Sequence, residues 1–204
     1  MTTRDDFEPW GREAQDRARI ADLAARLIVE HGISDWSLAK RKAVRQLLLP
    51  GRTSLPGNEE IEAALAAHHA LFGAEEHAVT LRSQREEALV WLRELAEFEP
   101  RLVGGVAAGW ATEHSDIRIE LVADDSKEVE LMLINRNISY RVAPGRAQHG
   151  AMAELYVDTR RGGVALVIRT PAVARQRPRR DRRGNDDVRL NATALAELLA
   201  RESS

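Results

Sequence analysis

Leu102-Val103-Gly104-Gly105, followed after ten residues by Asp116-Ile117-Arg118-Ile119-Glu120-Leu121, is the stretch on which the fold turns. In its second half Ile117, Ile119 and Leu121 alternate with Asp116, Arg118 and Glu120. A period of two predicts a strand over Ile117 to Ala123 with one apolar and one charged face. The first half predicts another strand, Leu102 to Val106. Its paired glycines open backbone conformations closed to other residues.

Upstream the period lengthens to that of a helix. Leu81, Ala88, Leu92 and Leu95 share one face of a helix from Glu75 to Phe98, which Pro100 terminates. Before it, Ile20, Leu23, Ala24, Leu27 and Ile28 mark a helix from Gln15 to His31, with Gly32 as a left-handed stop. A second helix opens on Ser34 or Asp35 and carries Trp36, Ala39, Ala43 and Leu47 on one stripe, leaving a basic opposite face. The segment Pro50 to Asn58 reads as a loop. Asn58 then caps a helix bearing Ile61, Ala64, Leu65 and Phe72, closed by Gly73.

Downstream, Asp125 with Glu128 forms a capping-box pattern ahead of Val129, Leu131, Met132 and Leu133, and Asn135 to Asn137 ends that helix. Strands follow at Ile138 to Val142, Glu154 to Asp158 and Val164 to Arg169, the last two joined as a hairpin through Thr159 to Gly163. An arginine-rich segment, Pro171 to Arg183, precedes a short helix capped by Asn191. The fold class is therefore α+β: a mixed sheet with a helical N-terminal extension and a short C-terminal helix. The expected divisions are residues 1–80, 81–170 and 171–204.

Composition narrows the chemistry. The 204 residues contain no cysteine and carry a net charge of −2. Disulfides, thiolate catalysis and cysteine-ligated metal centres are excluded, and a reducing cytoplasm is the natural setting. Met1 to Trp10 is acidic and lacks the apolar run of a signal peptide, and no window is apolar enough to span a bilayer. A cytoplasmic protein without membrane contact is expected.

The spacing of Gly104-Gly105 and Asp116 resembles the signature of the polymerase-beta-like nucleotidyltransferase superfamily: an apolar residue, two small residues, a spacer of about ten, then Asp, an apolar residue and a second acid. Gly109, Thr112 and Ser115-Asp116-Ile117 are similar in texture to small members of that family. The resemblance covers Leu81 to Arg169. It implies a nucleotidyltransferase-like core in which Gly104, Gly105 and Ser115 face the phosphates of a nucleotide, because residues without side chains let backbone N–H groups approach an anion. It also implies magnesium ions shared by Asp116 and two further carboxylates.

The sequence departs from that pattern at two places. Arg118 occupies the second acidic position, and Ala165 stands where a third acid would be expected. Arg118 would repel a divalent ion, yet it can itself hold a phosphate, or form a salt bridge with Glu120 or Asp116. Glu120 and Asp158 are the candidates to replace the missing acids. Glu120 shares the strand face of Asp116 but lies roughly 13 Å along it at about 3.3 Å per residue.

Three functions follow as expectations. The first is a catalytically degenerate nucleotidyltransferase-fold protein that binds a nucleotide or RNA, or regulates, with Arg118 in place of metal. The second is an active magnesium-dependent nucleotidyltransferase that transfers a nucleoside monophosphate to a hydroxyl, with Asp116 as catalytic metal ligand. The third is a helical protein-interaction module acting through a protein partner. Arg177, Arg179, Arg180, Arg182 and Arg183, and the cluster Lys40, Arg41, Lys42 and Arg45, are candidates to meet a phosphate backbone. No aromatic residue is interleaved with the arginines, so base stacking is not expected of them. His68, His69, His77 and His114 have no spacing that suggests a ligand set or a nucleophilic pair.

Overall fold

The structure, a computed structural model, describes residues 9–31, 33, 35–143, 151–160, 162–175 and 188–202. The chain divides into two compact units, Met1–Ala74 and Glu75–Ser204. Gly32, Ser34 and the arginines at 177, 179, 180, 182 and 183 lie outside the described residues.

The first unit is built from α1 (Pro9–His31), α2 (Trp36–Gln46) and α3 (Asn58–Leu71). Helix α1 buries Ile20, Ala24, Ala25, Leu27 and Ile28 and packs against both other helices, which contribute Ala39, Ala43, Val44, Ile61 and Leu65. It begins earlier than its apolar repeat, at Pro9, a residue suited to the first turn because its missing N–H is unsatisfied there anyway. Asp35 caps α2 as expected, accepting from the N–H groups of Ser37 and Leu38 at 2.8 and 3.2 Å. Asn58 is not the cap of α3. That position is Gly57, whose N–H donates to the Glu60 carboxylate at 2.7 Å, and this frees Asn58 to accept from Lys40 Nζ at 2.9 Å. Lys40 accordingly leaves the basic face where the sequence placed it. It lies one turn from Trp36 and one from Val44, on the inward side, and burial lowers its pKa. Phe72 also departs from its expected stripe: as the C-cap residue it has left helical geometry and is 65% exposed.

The second unit is the α+β core. Its elements are α4 (Ala74–Glu94), β1 (Arg101–Val103), α5 (Gly104–Ala108), β2 (Ile117–Val122), α6 (Ser126–Asn135), β3 (Arg141–Val142), β4 (Ala153–Thr159), β5 (Gly162–Arg169), α7 (Pro171–Ala174) and α8 (Ala192–Arg201). The five strands form one mixed sheet in the order β1-β2-β5-β4-β3, with β2 parallel to β5 and every other pairing antiparallel. One face is apolar: Ile117, Ile119, Leu121, Leu155, Val157, Val164, Leu166 and Ile168 meet Leu81, Ala88 and Leu92 of α4, Val129 and Leu133 of α6, and Leu195 and Leu199 of α8. At about 1.5 to 3 kcal/mol for each large apolar side chain removed from water, this face supplies most of the favourable term in folding.

Three elements differ from their sequence expectation. The strand predicted to reach Val106 stops at Val103, because Gly104 takes φ +70° and sends the chain into α5. The helix predicted to reach Phe98 ends at Glu94, followed by a single tight turn from Ala96 to Phe98 and a left-handed Glu99 at φ 47°. The strand predicted from Ile138 survives only as Arg141 and Val142. Asp125 and Asn191 cap α6 and α8 as read from the sequence. Among the described residues no helix is long and apolar enough to cross a membrane.

Candidate functional site

The other face of the sheet is charged. Because β2 and β5 are parallel and in register, Arg118 lies beside Ala165, and Ala165 beside Tyr156 of β4. One step along, Glu120 is level with Val167 and Glu154, while at the opposite end Asp158 is level with Gly163. The middle strand thus offers a floor of small side chains, Gly163, Ala165 and Val167, between two walls of long polar ones. Strands are about 4.8 Å apart, so a guanidinium on β2 has the length to cross β5 and reach β4.

Arg118 does so. Its Nη1 lies 2.9 Å from Glu154 Oε1, and Tyr156 OH donates to the same oxygen at 3.1 Å. The sequence pointed to Glu120 or Asp116 as the partner of Arg118, and the partner is Glu154. No sequence period could show this, because it depends on the register of β2, β5 and β4 together. Glu154 is buried, its side chain 9% exposed, while the Arg118 side chain is 39% exposed. Burial and the neighbouring Glu154 carboxylate raise the Tyr156 pKa.

Asp116 precedes β2 and lies over Gly163. A Cβ on Gly163 would collide with its Oδ1 and lie 3.2 Å from its Cγ, so only glycine leaves this carboxyl room to lie against the sheet. Burial of the carboxyl raises its pKa; Arg118 and Arg141 oppose that rise, and Glu154 and Asp158 add to it. Asp158 is ion-paired with Arg141 at 2.7 Å. Glu120 is held at both oxygens: Arg169 Nε and Nη2 approach Oε1 at 2.9 and 2.7 Å, and Arg189 Nη1 approaches Oε2 at 3.0 Å. Arg189 is brought there by a bridge between Leu190 and Leu102 on the outer side of β1.

The two glycines have different reasons for being glycine. Gly104 is at positive φ, and a Cβ there would lie 3.9 Å from the Cβ of Arg118, which puts this bare backbone turn beside the guanidinium-bearing residue. Gly105 is required by packing, since a Cβ would come within 2.7 Å of the Trp110 ring and 3.1 Å of Ala111 Cα. Ser115 directs its hydroxyl into its own turn, accepting from the Thr112 N–H at 3.0 Å.

Helix α4 fixes the loop that leads to Asp116. Gln84 donates to the carbonyls of Thr112 and Ser115 at 2.9 and 3.3 Å, and His77 Nε2 is 3.0 Å from the Ala111 carbonyl. Arg85 donates to the Val106 carbonyl at 3.0 Å, stabilising the C-terminal end of α5, and pairs with Glu202. In the sequence Gln84 and Arg85 carry no functional signal, falling between the apolar positions of an amphipathic helix. Their burial in α4 depends on carbonyls 21 to 31 residues along the chain, which periodicity does not encode.

The donor set does not fit magnesium. Glu154 is committed to Arg118, Glu120 to two arginines and Asp158 to Arg141. Among the described residues no group of three His, Cys, Asp or Glu side chains could hold a metal ion. Comparison with protein-family models, curated proteins and solved structures gives no match for this chain.

Proposed function

We propose that the charged face of the sheet binds a nucleotide or an RNA phosphate without metal, on a nucleotidyltransferase-like frame whose transfer chemistry has lapsed, in a reducing cytoplasm. The observation that carries this reading is the position of Arg118 beside the side-chain-free backbone of Gly104. A phosphate oxygen needs donors it can approach closely, and a guanidinium offers five N–H groups in a planar fork. Among the described residues Arg118 has one ion-pair partner, Glu154, which meets it at Nη1. The remaining donors can meet a second anion while Glu154 holds the fork in place.

Asp116 is then a selector. Among the described residues it makes no ion pair or hydrogen bond, so its carboxylate can accept from a ribose hydroxyl or a base N–H while keeping phosphates at the Arg118 side. Calorimetry with the four nucleoside triphosphates, in EDTA and in magnesium, tests the reading. Binding is expected to persist in EDTA and to weaken at least tenfold in Arg118→Ala, the loss of one charge-assisted contact of about 1.5 to 3 kcal/mol. No binding in either buffer sinks it. Magnesium-dependent label transfer from an α-labelled nucleotide, absent in Asp116→Ala, would replace it with an active transferase.

A further inference from the structure

Helix α2 belongs to the first unit, and its charge is of one sign. The helix carries four cationic residues and no acid in 11 residues, within a chain whose net charge is −2. Lys40 is withdrawn from the surface by its bond to Asn58. Arg41, Lys42 and Arg45 remain exposed: Arg45 is four residues from Arg41 and three from Lys42, about 5 to 6 Å from each, so the three share one side of the helix with Arg45 between the adjacent pair. Among the described residues the one acid paired with them is Asp35, 4.0 Å from Arg41 Nη2 and already accepting two backbone N–H groups as the helix cap.

We infer that this exposed strip of α2 is a docking surface for an RNA phosphate backbone, separate from the Arg118 site. The complementarity is one of charge: three cations on a rigid helix meet successive phosphates without reading base identity. An anionic membrane would offer the same charge, but surface helices that bind bilayers bury an apolar face in them. The apolar face of α2, Ala39, Ala43 and Val44, is already buried in the three-helix unit. What remains outside is mainly cationic and polar. Leu38, 39% exposed, is the one large apolar side chain of α2 left in water, with Leu48 exposed just beyond the helix. That is too little for the continuous apolar face that a bilayer-binding helix inserts, so the strip suits a polyanion in solution.

The test uses the full chain and a labelled oligouridylate, with fluorescence anisotropy measured across a salt series. Single-stranded binding weakens with salt in proportion to the phosphates neutralised, by about 0.7 log units of affinity per log unit of salt for each contact. The variant Arg41→Ala/Lys42→Ala/Arg45→Ala should lower the slope by about 2 and weaken binding at low salt at least tenfold. These positions are exposed and alanine favours helix, so circular dichroism should be unchanged. Charge-conserving Arg41→Lys/Arg45→Lys should retain the parental slope, which a purely structural role would not predict.

Three results overturn the inference: no RNA binding by the parent chain, an unchanged salt slope in the triple alanine variant, or binding of phosphatidylserine vesicles in preference to the oligouridylate. Nucleotide calorimetry on the same triple variant separates the two sites. Retained triphosphate binding with lost RNA binding supports a separate surface, whereas simultaneous loss of both overturns the separation.

Discussion

The two faces of one sheet are made by one run of six residues, Asp116 and the first five of β2, read alternately, and they do opposite work. Ile117, Ile119 and Leu121 are at most 4% exposed and lie under three helices. Asp116, Arg118 and Glu120 face a floor of small side chains and are organised by charge. The apolar face explains why the unit folds. The charged face is costly to arrange, since each partly desolvated ion must find a partner, and its arrangement explains what the unit can bind. Substitutions on the two faces should therefore separate stability from binding.

The largest expected effect is on the apolar side. Leu121 is fully buried, and Leu121→Ala should lower unfolding free energy by about 3 kcal/mol in a urea titration, within the range for large-to-small core changes. Arg118→Ala, three residues away on the other face, should cost about 1 to 2 kcal/mol: the guanidinium is substantially exposed, but its loss leaves the buried Glu154 carboxylate with the Tyr156 hydroxyl alone. Equal losses from the two would erase the distinction between the faces.

An intermediate effect is expected at Glu120, the one acid of β2 that belongs energetically with the core. Its side chain is 11% exposed and both its oxygens accept from arginines. Glu120→Gln removes the charge that holds Arg169 and Arg189 together and should cost about 2 kcal/mol, less than a fully buried pair because Arg189 keeps some contact with water. The loss should be accompanied by faster hydrogen exchange at Leu102 and Leu190, whose mutual backbone bonds of 2.8 and 3.0 Å tie the C-terminal segment to β1. Unchanged stability would mean that the two arginines are accommodated without this carboxylate.

How much of this was legible beforehand follows from the range of each interaction. The longer helices α1, α2, α3, α4, α6 and α8, with β2, β4 and β5, are readable because apolar period is local, as are the caps Asp125 and Asn191 and, as one of two candidates, Asp35; the short α5 and α7 are not. Gly104 was singled out correctly as a special backbone position, but whether it would extend a strand or end one depended on a single φ angle. The Arg118–Glu154 pair spans 36 positions and two strand pairings, and the contacts of Gln84 with Thr112 and Ser115 span about 30. Spacing along a chain carries no register between strands. The same limit hid the roles of Lys40 and Asn58, whose bond joins two helices that each read as self-sufficient.

The smallest expected effect is the most diagnostic, because its sign differs from that of the others. Asp116 has its pKa raised above 3.8, chiefly by burial of the carboxyl against the sheet. The folded state therefore holds this proton more tightly than the unfolded chain does, and stability falls as pH rises from 3.8 through the folded value. Above that window the cost of the ionised carboxylate is present in full. Asp116→Asn removes it while keeping nearly the same shape, so the variant should be slightly more stable than the parent at neutral pH. The gain should shrink on acidification and vanish below the unfolded pKa, as read from urea midpoints across a pH series. A variant less stable than the parent at neutral pH would show that Asp116 is held by favourable contacts and belongs with Glu120. A gain in stability with loss of nucleotide binding would mark it as a residue whose charge serves the ligand rather than the fold.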